Sequence, residues 1–194
     1  MPTTATALIV IDVQEGFGRE DFWGQPANLD VESSIAALVE HWRTRRPGPL
    51  VIVRHDSANP ASPLHPGDPG NRLRPFLAAI QPDLLITKKV NSAFYGEPDL
   101  DGRLRAAEIN DLVICGVQTN MCVETTARMA GNLGYRVQVP LDATSTFGLA
   151  DTVPGFGDRK FSGSDLMVAT ALNLQRGSFA KVTSTAAILS AEDR

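Results

Sequence analysis

The sequence predicts an α/β fold with a mostly parallel sheet, and two observations carry that prediction. Residues 7–11, 50–53 and 112–115 form long apolar runs rich in valine and isoleucine, without polar alternation. Such runs suit parallel strands buried on both faces. Helix-period segments lie between the strand patterns, which is the signature of βαβ units. In chain order, the strand at 7–11 is followed by a helix at 31–46 that carries Ile35, Leu38, Val39 and Trp42 on one stripe. Strands at 50–53 and 84–86 come next, then a short helix at 100–107 and the strand at 112–115. A helix at 121–133, a strand at 136–139, a helix at 164–174 and a strand at 179–182 complete the series. Residues 55–71 hold Pro60, Pro63, Pro66 and Pro69 with Gly67 and Gly70, so no regular element fits there. This stretch follows the second strand, and is either a surface connection or a loop on the substrate side.

The chain has 194 residues, enough for one domain with a sizeable core, and a single domain over 1–194 is expected. Apolar residues make up 43% and charged residues 21%, the balance of an ordinary globular chain. The net charge of −4 and the lack of any charge run exclude a basic surface for nucleic acid. Residues 1–7 lack the basic start and long apolar stretch of a signal peptide, and no segment reaches membrane-spanning length. A cytoplasmic location is therefore expected, with neither nucleic acid nor membrane as partner. Two cysteines make no disulfide framework.

Cys122 is the first candidate for chemistry. The apolar pattern Asp111-Leu112-Val113-Ile114-Cys115 ends at Gly116, and helical periodicity resumes through Val123, Ala127, Met129 and Ala130. Thr119 or Asn120 can cap that helix, which puts Cys122 on its first turn, where unpaired N–H groups and the helix dipole favour thiolate. Cys115, inside the strand, reads as a small apolar core residue. Asp12 ends the first apolar run, where partial desolvation would raise its pKa and suit it to proton transfer. A turn aspartate has the same appearance. If the strand order is 3-2-1-4-5-6, strands one and four are neighbours at the reversal, and Asp12 and Cys122 face one crevice. Lys88 and Lys89 end the third strand and would add positive charge there, although a lysine pair at a strand end is ordinarily solvated.

These residues stand in motifs. Leu8-Ile9-Val10-Ile11-Asp12-Val13-Gln14, then Lys88 with Ser92-Ala93-Phe94, and Gly116-Val117-Gln118-Thr119-Asn120-Met121-Cys122-Val123 follow in order, with Asp142-Ala143-Thr144-Ser145 further on. The chain thereby resembles the isochorismatase-like cysteine hydrolases over nearly its whole length. The resemblance implies a three-layer sandwich whose six-stranded, mostly parallel sheet, in the order 3-2-1-4-5-6, is flanked by helices. It also implies a catalytic triad of Asp12, Lys88 and Cys122, with Lys88 chosen over Lys89 by its spacing to Ser92. A cis Val117–Gln118 bond and an oxyanion hole from the backbone N–H groups of Gln118 and Cys122 belong to the same pattern.

Retention of the cysteine points to covalent acyl transfer on a small amide, carbamoyl or ureide compound. Vinyl-ether hydrolysis of the isochorismatase type and a non-catalytic binding protein are the alternatives. Nicotinamidase-type relatives hold a metal after strand two, through an aspartate followed closely by two histidines. Here that region reads Arg54-His55-Asp56-Ser57 with the next histidine at His65, so no metal and no cofactor are expected. His55 and Asp56 are expected to fix the loop by hydrogen bonds. Phe17, Phe22, Trp23 and Phe94, with Gln118, are the expected substrate-binding residues, and Tyr95 and Phe147 lie in neighbouring segments. The expected partner is a small-molecule substrate, in a homo-oligomer, dimer or tetramer, as is common in the family.

Overall fold

The structure is a computed structural model that describes residues 5–192; residues 1–4 and 193–194, which the N-terminal and single-domain expectations include, lie outside it. Its strands are β1 (Thr6–Ile11), β2 (Leu50–His55), β3 (Leu84–Lys88), β4 (Asp111–Val117), β5 (Arg136–Pro140), β6 (Thr144–Ser145), β7 (Leu149–Val153), β8 (Gly157–Phe161) and β9 (Lys181–Thr183). The helices are α1 (Glu20–Trp23), α2 (Val31–Arg45), α3 (Pro75–Ala78), α4 (Leu100–Ala106), α5 (Glu124–Asn132), α6 (Gly163–Arg176) and α7 (Thr185–Glu192). The central sheet runs β3-β2-β1-β4-β5-β9, all parallel, with β6 added beside the end of β4. The sheet order is the predicted one.

Side-chain alternation along the strands builds two cores. Ala7, Ile9 and Ile11 point to one face with Val51 and Val53, under Leu100 and Leu104 of α4, Ala127 of α5 and Leu174 of α6. Leu8 and Val10 point to the other with Leu50 and Ile52, under Ile35, Leu38 and Trp42 of α2, Leu77 of α3 and Ile188 of α7. The fully buried Trp42 keeps its indole N–H satisfied on the Thr6 carbonyl at 3.0 Å. Helix α2 ends one residue before the predicted boundary, because Arg46 adopts the left-handed conformation at φ 56°.

The antiparallel hairpin β7–β8 escaped the sequence reading. All ten of its residues are exposed, so no core-facing alternation exists to betray it. Helix α7 escaped as well, since Thr185-Ala186-Ala187-Ile188-Leu189 carries too short a stripe.

Gly116 controls how the two central strands meet. It pairs with Ile11, has φ +124°, and a Cβ there would lie 2.1 Å from the Ile11 carbonyl oxygen. Gly134 also has positive φ, +91°, but faces open space. Gly116→Ala should therefore cost about 3 kcal/mol or more of stability and Gly134→Ala about 1 kcal/mol, read as urea midpoints at equal m. Equal losses would show that the close approach of the strands is not what demands glycine.

Candidate active site

Four elements deliver side chains to one point beyond the carboxyl end of the sheet. Asp12 follows β1 with φ 51°, and its N–H donates to the Val53 carbonyl at 2.9 Å, which turns the carboxylate inward. His55 ends β2 and pairs in register with Lys88, the last residue of β3. Cys122 lies in a π-helical turn, Thr119–Val123, that joins β4 to α5. Such turns recur at functional sites.

Lys88 is the hub of this cluster. Its ammonium donates to Asp12 Oδ2 at 2.6 Å, faces His55 Nδ1 at 3.2 Å and donates to Cys122 Sγ at 3.4 Å. Three donors thus meet three acceptors. The Asp12 and Lys88 side chains are wholly buried. Asp12 Oδ1 is buried too and has no hydrogen-bond partner. An Asp12 oxygen, a His55 nitrogen and Cys122 Sγ lie within 4.8 Å of one another, a set of metal-ligating types. The Lys88 ammonium is within hydrogen-bonding distance of all three residues and already holds the place of a cation. Lys89, by contrast, is exposed.

Burial sets the protonation states. It pushes the Asp12 carboxyl above the usual carboxylate value, against the opposing pull of Lys88. It pushes His55 down, with the Lys88 charge acting in the same direction, so the neutral imidazole accepts from Lys88. The Cys122 thiol is pushed up to about 12, by burial first and by the Asp12 charge second, with Lys88 opposing. This reverses the thiolate expected from a helix N-terminus. The residue is 8% exposed, and desolvation outweighs a half-charge dipole. The expected caps are also absent: the turn begins at Gln118 without a side-chain cap, and the Thr119 hydroxyl donates to Thr144 Oγ1 at 2.9 Å. The Val117–Gln118 bond is cis.

Cys122 opens into a cavity of about 440 Å³. Phe17, Trp23 and Phe147 form its aromatic wall, with ring centroids 5.1 to 6.1 Å apart, and Phe22 stands edge-on to Trp23 at 4.7 Å. Gln118 lines it as well. Phe94 does not. It is buried in the sheet core and stacks on Tyr135 at 5.9 Å, because the turn after Ser92 directs it under α5 rather than toward the crevice. Tyr95 is exposed elsewhere. The proline-rich stretch contributes Leu64. Asp56 does hold that loop, through Arg54 and Asn71, but the His55 ring faces Lys88 instead.

The sequence reading missed Asn91, whose Oδ1 lies 3.8 Å from Cys122 Sγ on the cavity wall. Its place two residues before Phe-flanking Ala93 was the one available signal. Gln14 and Asn71 were missed too. Gln14 exchanges bonds with the His55 backbone at 3.0 and 2.8 Å, and Asn71 donates to the His55 and Leu64 carbonyls at 3.0 and 2.8 Å.

Residues 6–187 match the isochorismatase domain family. The chain is 37% identical to the isochorismatase family protein YrdC of Bacillus subtilis over 145 residues, 75% of this chain and 76% of that one. It is 29% identical to the ureidoacrylate amidohydrolase RutB of Stutzerimonas stutzeri, over 76% of this chain and 73% of the relative. The crystal structure of an isochorismatase-family protein from Chromobacterium violaceum superposes with a TM-score of 0.86 at 34% identity, over 100% of this chain and 99% of the other.

Iodoacetamide should label Cys122 and spare Cys115, which is 0% exposed within β4. Asp12→Asn removes the charge that raises the thiol pKa, so the pH midpoint of Cys122 labelling should fall by about one pH unit or more. Lys88→Met removes the opposing charge and should move the midpoint up. Mass spectrometry across a pH series reads both. Shifts in the same direction would break the electrostatic assignment.

Proposed function

The chain belongs to the isochorismatase family of hydrolases, and on that premise we propose that it cleaves a C–N bond of a small amide, carbamoyl or ureide compound through a thioester on Cys122. One observation carries the proposal: a thiol at the floor of a half-open cavity touches a buried lysine–aspartate pair whose second carboxylate oxygen has no hydrogen-bond partner.

The chemistry follows from which atoms are occupied. Oδ2 of Asp12 is held by Lys88, so Oδ1 is the oxygen that accepts the thiol proton. A thiol pushed up to about 12 is no nucleophile at neutral pH, and needs a base whose own pKa has been raised toward it. As the proton moves to Asp12, Cys122 sulfur attacks the carbonyl carbon and the carbonyl oxygen becomes an oxyanion. The backbone N–H groups of Gln118 and Cys122 receive that charge. Lys88 stays charged and stabilises the thiolate in transit. Collapse expels the nitrogen, which takes the proton from Asp12 and leaves as the amine. Asp12 then takes a proton from water, hydroxide adds to the thioester, and the acid is released with the thiol restored.

The reaction should show as ammonia or amine release from a panel of small amides, ureides and carbamoyl compounds, abolished in Cys122→Ala. Lys88→Ala should be inactive and Lys89→Ala close to wild type, with matched thermal melts, because only Lys88 reaches the cluster. Asp12 must be ionised to act as base, so kcat/KM should fall as pH drops through its raised pKa. That acid limb should lie above the ordinary carboxylate value of 3.8. A limb at or below that value would remove Asp12 from the base role.

A further inference from the structure

The charge balance of the cavity says more about the substrate than its size does. Its walls are largely apolar, and the polar groups it presents are Asp12, His55, Asn91, Gln118 and Cys122. Among the described residues, no lysine or arginine lines it. Lys88 lies beneath the floor, its side chain wholly buried and its three donors engaged by Asp12, His55 and Cys122. Arg159 and Lys160 of β8 border a separate surface cavity with Asp151 and Asp158, and the other arginines of the surrounding segments are paired. Arg54 pairs with Asp56 at 2.8 Å, Arg19 with Asp21 at 2.8 Å, Arg72 with Glu15 at 3.3 Å and Arg74 with Glu32 at 3.1 Å. Lys89 borders a separate surface cavity with Val90, Tyr95 and Glu97.

A carboxylate entering this half-open cavity would shed part of its water and meet no cation on the walls, while the Asp12 carboxylate at the floor already occupies Lys88. A neutral amide would lose far less. Its planar body can rest against the Phe17, Trp23 and Phe147 rings, and its polar edge can meet the Asn91 and Gln118 amides. The oxyanion formed during reaction is transient and lies at the floor, beside the backbone donors.

We infer that the cavity selects against anionic substrates, and that its substrate is an uncharged small amide, ureide or carbamoyl compound with an apolar, planar body and no carboxylate. This inference rests on Cys122 being the nucleophile at the cavity floor.

Iodoacetamide and iodoacetate test it as a nearly isosteric pair, one neutral and one anionic. Both react with the same thiolate, forming a carbon–sulfur bond and expelling iodide, so the ratio of their rates cancels the acidity of the thiol. The ratio at Cys122, followed by intact mass spectrometry, is divided by the ratio for glutathione in the same buffer. Selection against charge predicts at least a tenfold bias toward iodoacetamide. Leu149→Arg, at the exposed rim of the cavity, should move the ratio at least fivefold back toward iodoacetate. A wild-type ratio at or below that of glutathione would overturn the inference while leaving the nucleophile in place. An unchanged ratio in Leu149→Arg would show that charge is not what decides, with the same consequence. Failure of both reagents to label Cys122 would overturn the nucleophile assignment, and this inference with it.

Discussion

The buried ammonium of Lys88 is the constraint around which the end of the sheet is organised. A cation without solvent contact needs an acceptor for each of its protons, and the three it finds come from three different places in the chain. Asp12 follows β1, His55 ends β2 and Cys122 lies beyond β4. Those positions converge only when β1 lies between β2 and β4 with β3 outside β2, which is the order observed. The ion pair is a poor source of stability. Its desolvation offsets much of the attraction, whereas losing one partner strands the other at a cost of about 3–5 kcal/mol. Such a pair is tolerated where charge is used, and here it adjoins the thiol proposed as nucleophile.

The two cysteines show how a few residues of chain separate packing from chemistry. Cys115 is on the face of β4 that packs under α2 and α7, among Leu8, Val10 and Ile52. Gly116 then lets β4 run against Ile11 without a side chain between them. The π-helical turn that follows rotates Cys122 back over the sheet end, where sulfur meets the ammonium. Both thiols are raised by burial, but only Cys122 has charged neighbours that can alter its proton affinity.

The aromatic wall is assembled from segments that are distant in sequence. Phe17 and Trp23 come from the chain after β1, and Phe147 from the chain after β6. Leu64 packs with Phe17 and Phe147 because the proline-rich stretch folds back, and Gly16 permits the contact: a Cβ there would lie 2.6 Å from the Pro63 carbonyl oxygen. Gln14 and Asn71 secure the fold-back by satisfying backbone groups that a loop in this position would otherwise leave unpaired. The loop that supplies Leu64 to the apolar wall is thus tied down by two amides together with the Arg54–Asp56 ion pair, which lies outside the cavity lining.

The sequence by itself determined the sheet, because buried parallel strands need unbroken apolar runs and those runs are local. It also marked Asp12, at the end of such a run, and Cys122, on the turn that follows one, whereas Lys88 was separated from Lys89 only by the family motif that places it four residues before Ser92. Local pattern could not determine what those residues meet. Phe94 was placed at the crevice and lies in the core, because the direction of a side chain leaving a turn depends on the helix packed above it. His55 was read as a loop fastener and faces Lys88, because the register between β2 and β3 sets that pairing. The thiol was read as acidified by its helix and is raised instead. A dipole belongs to neighbouring residues and is visible in sequence, but desolvation is the sum of everything packed around an atom, and only the tertiary structure decides it.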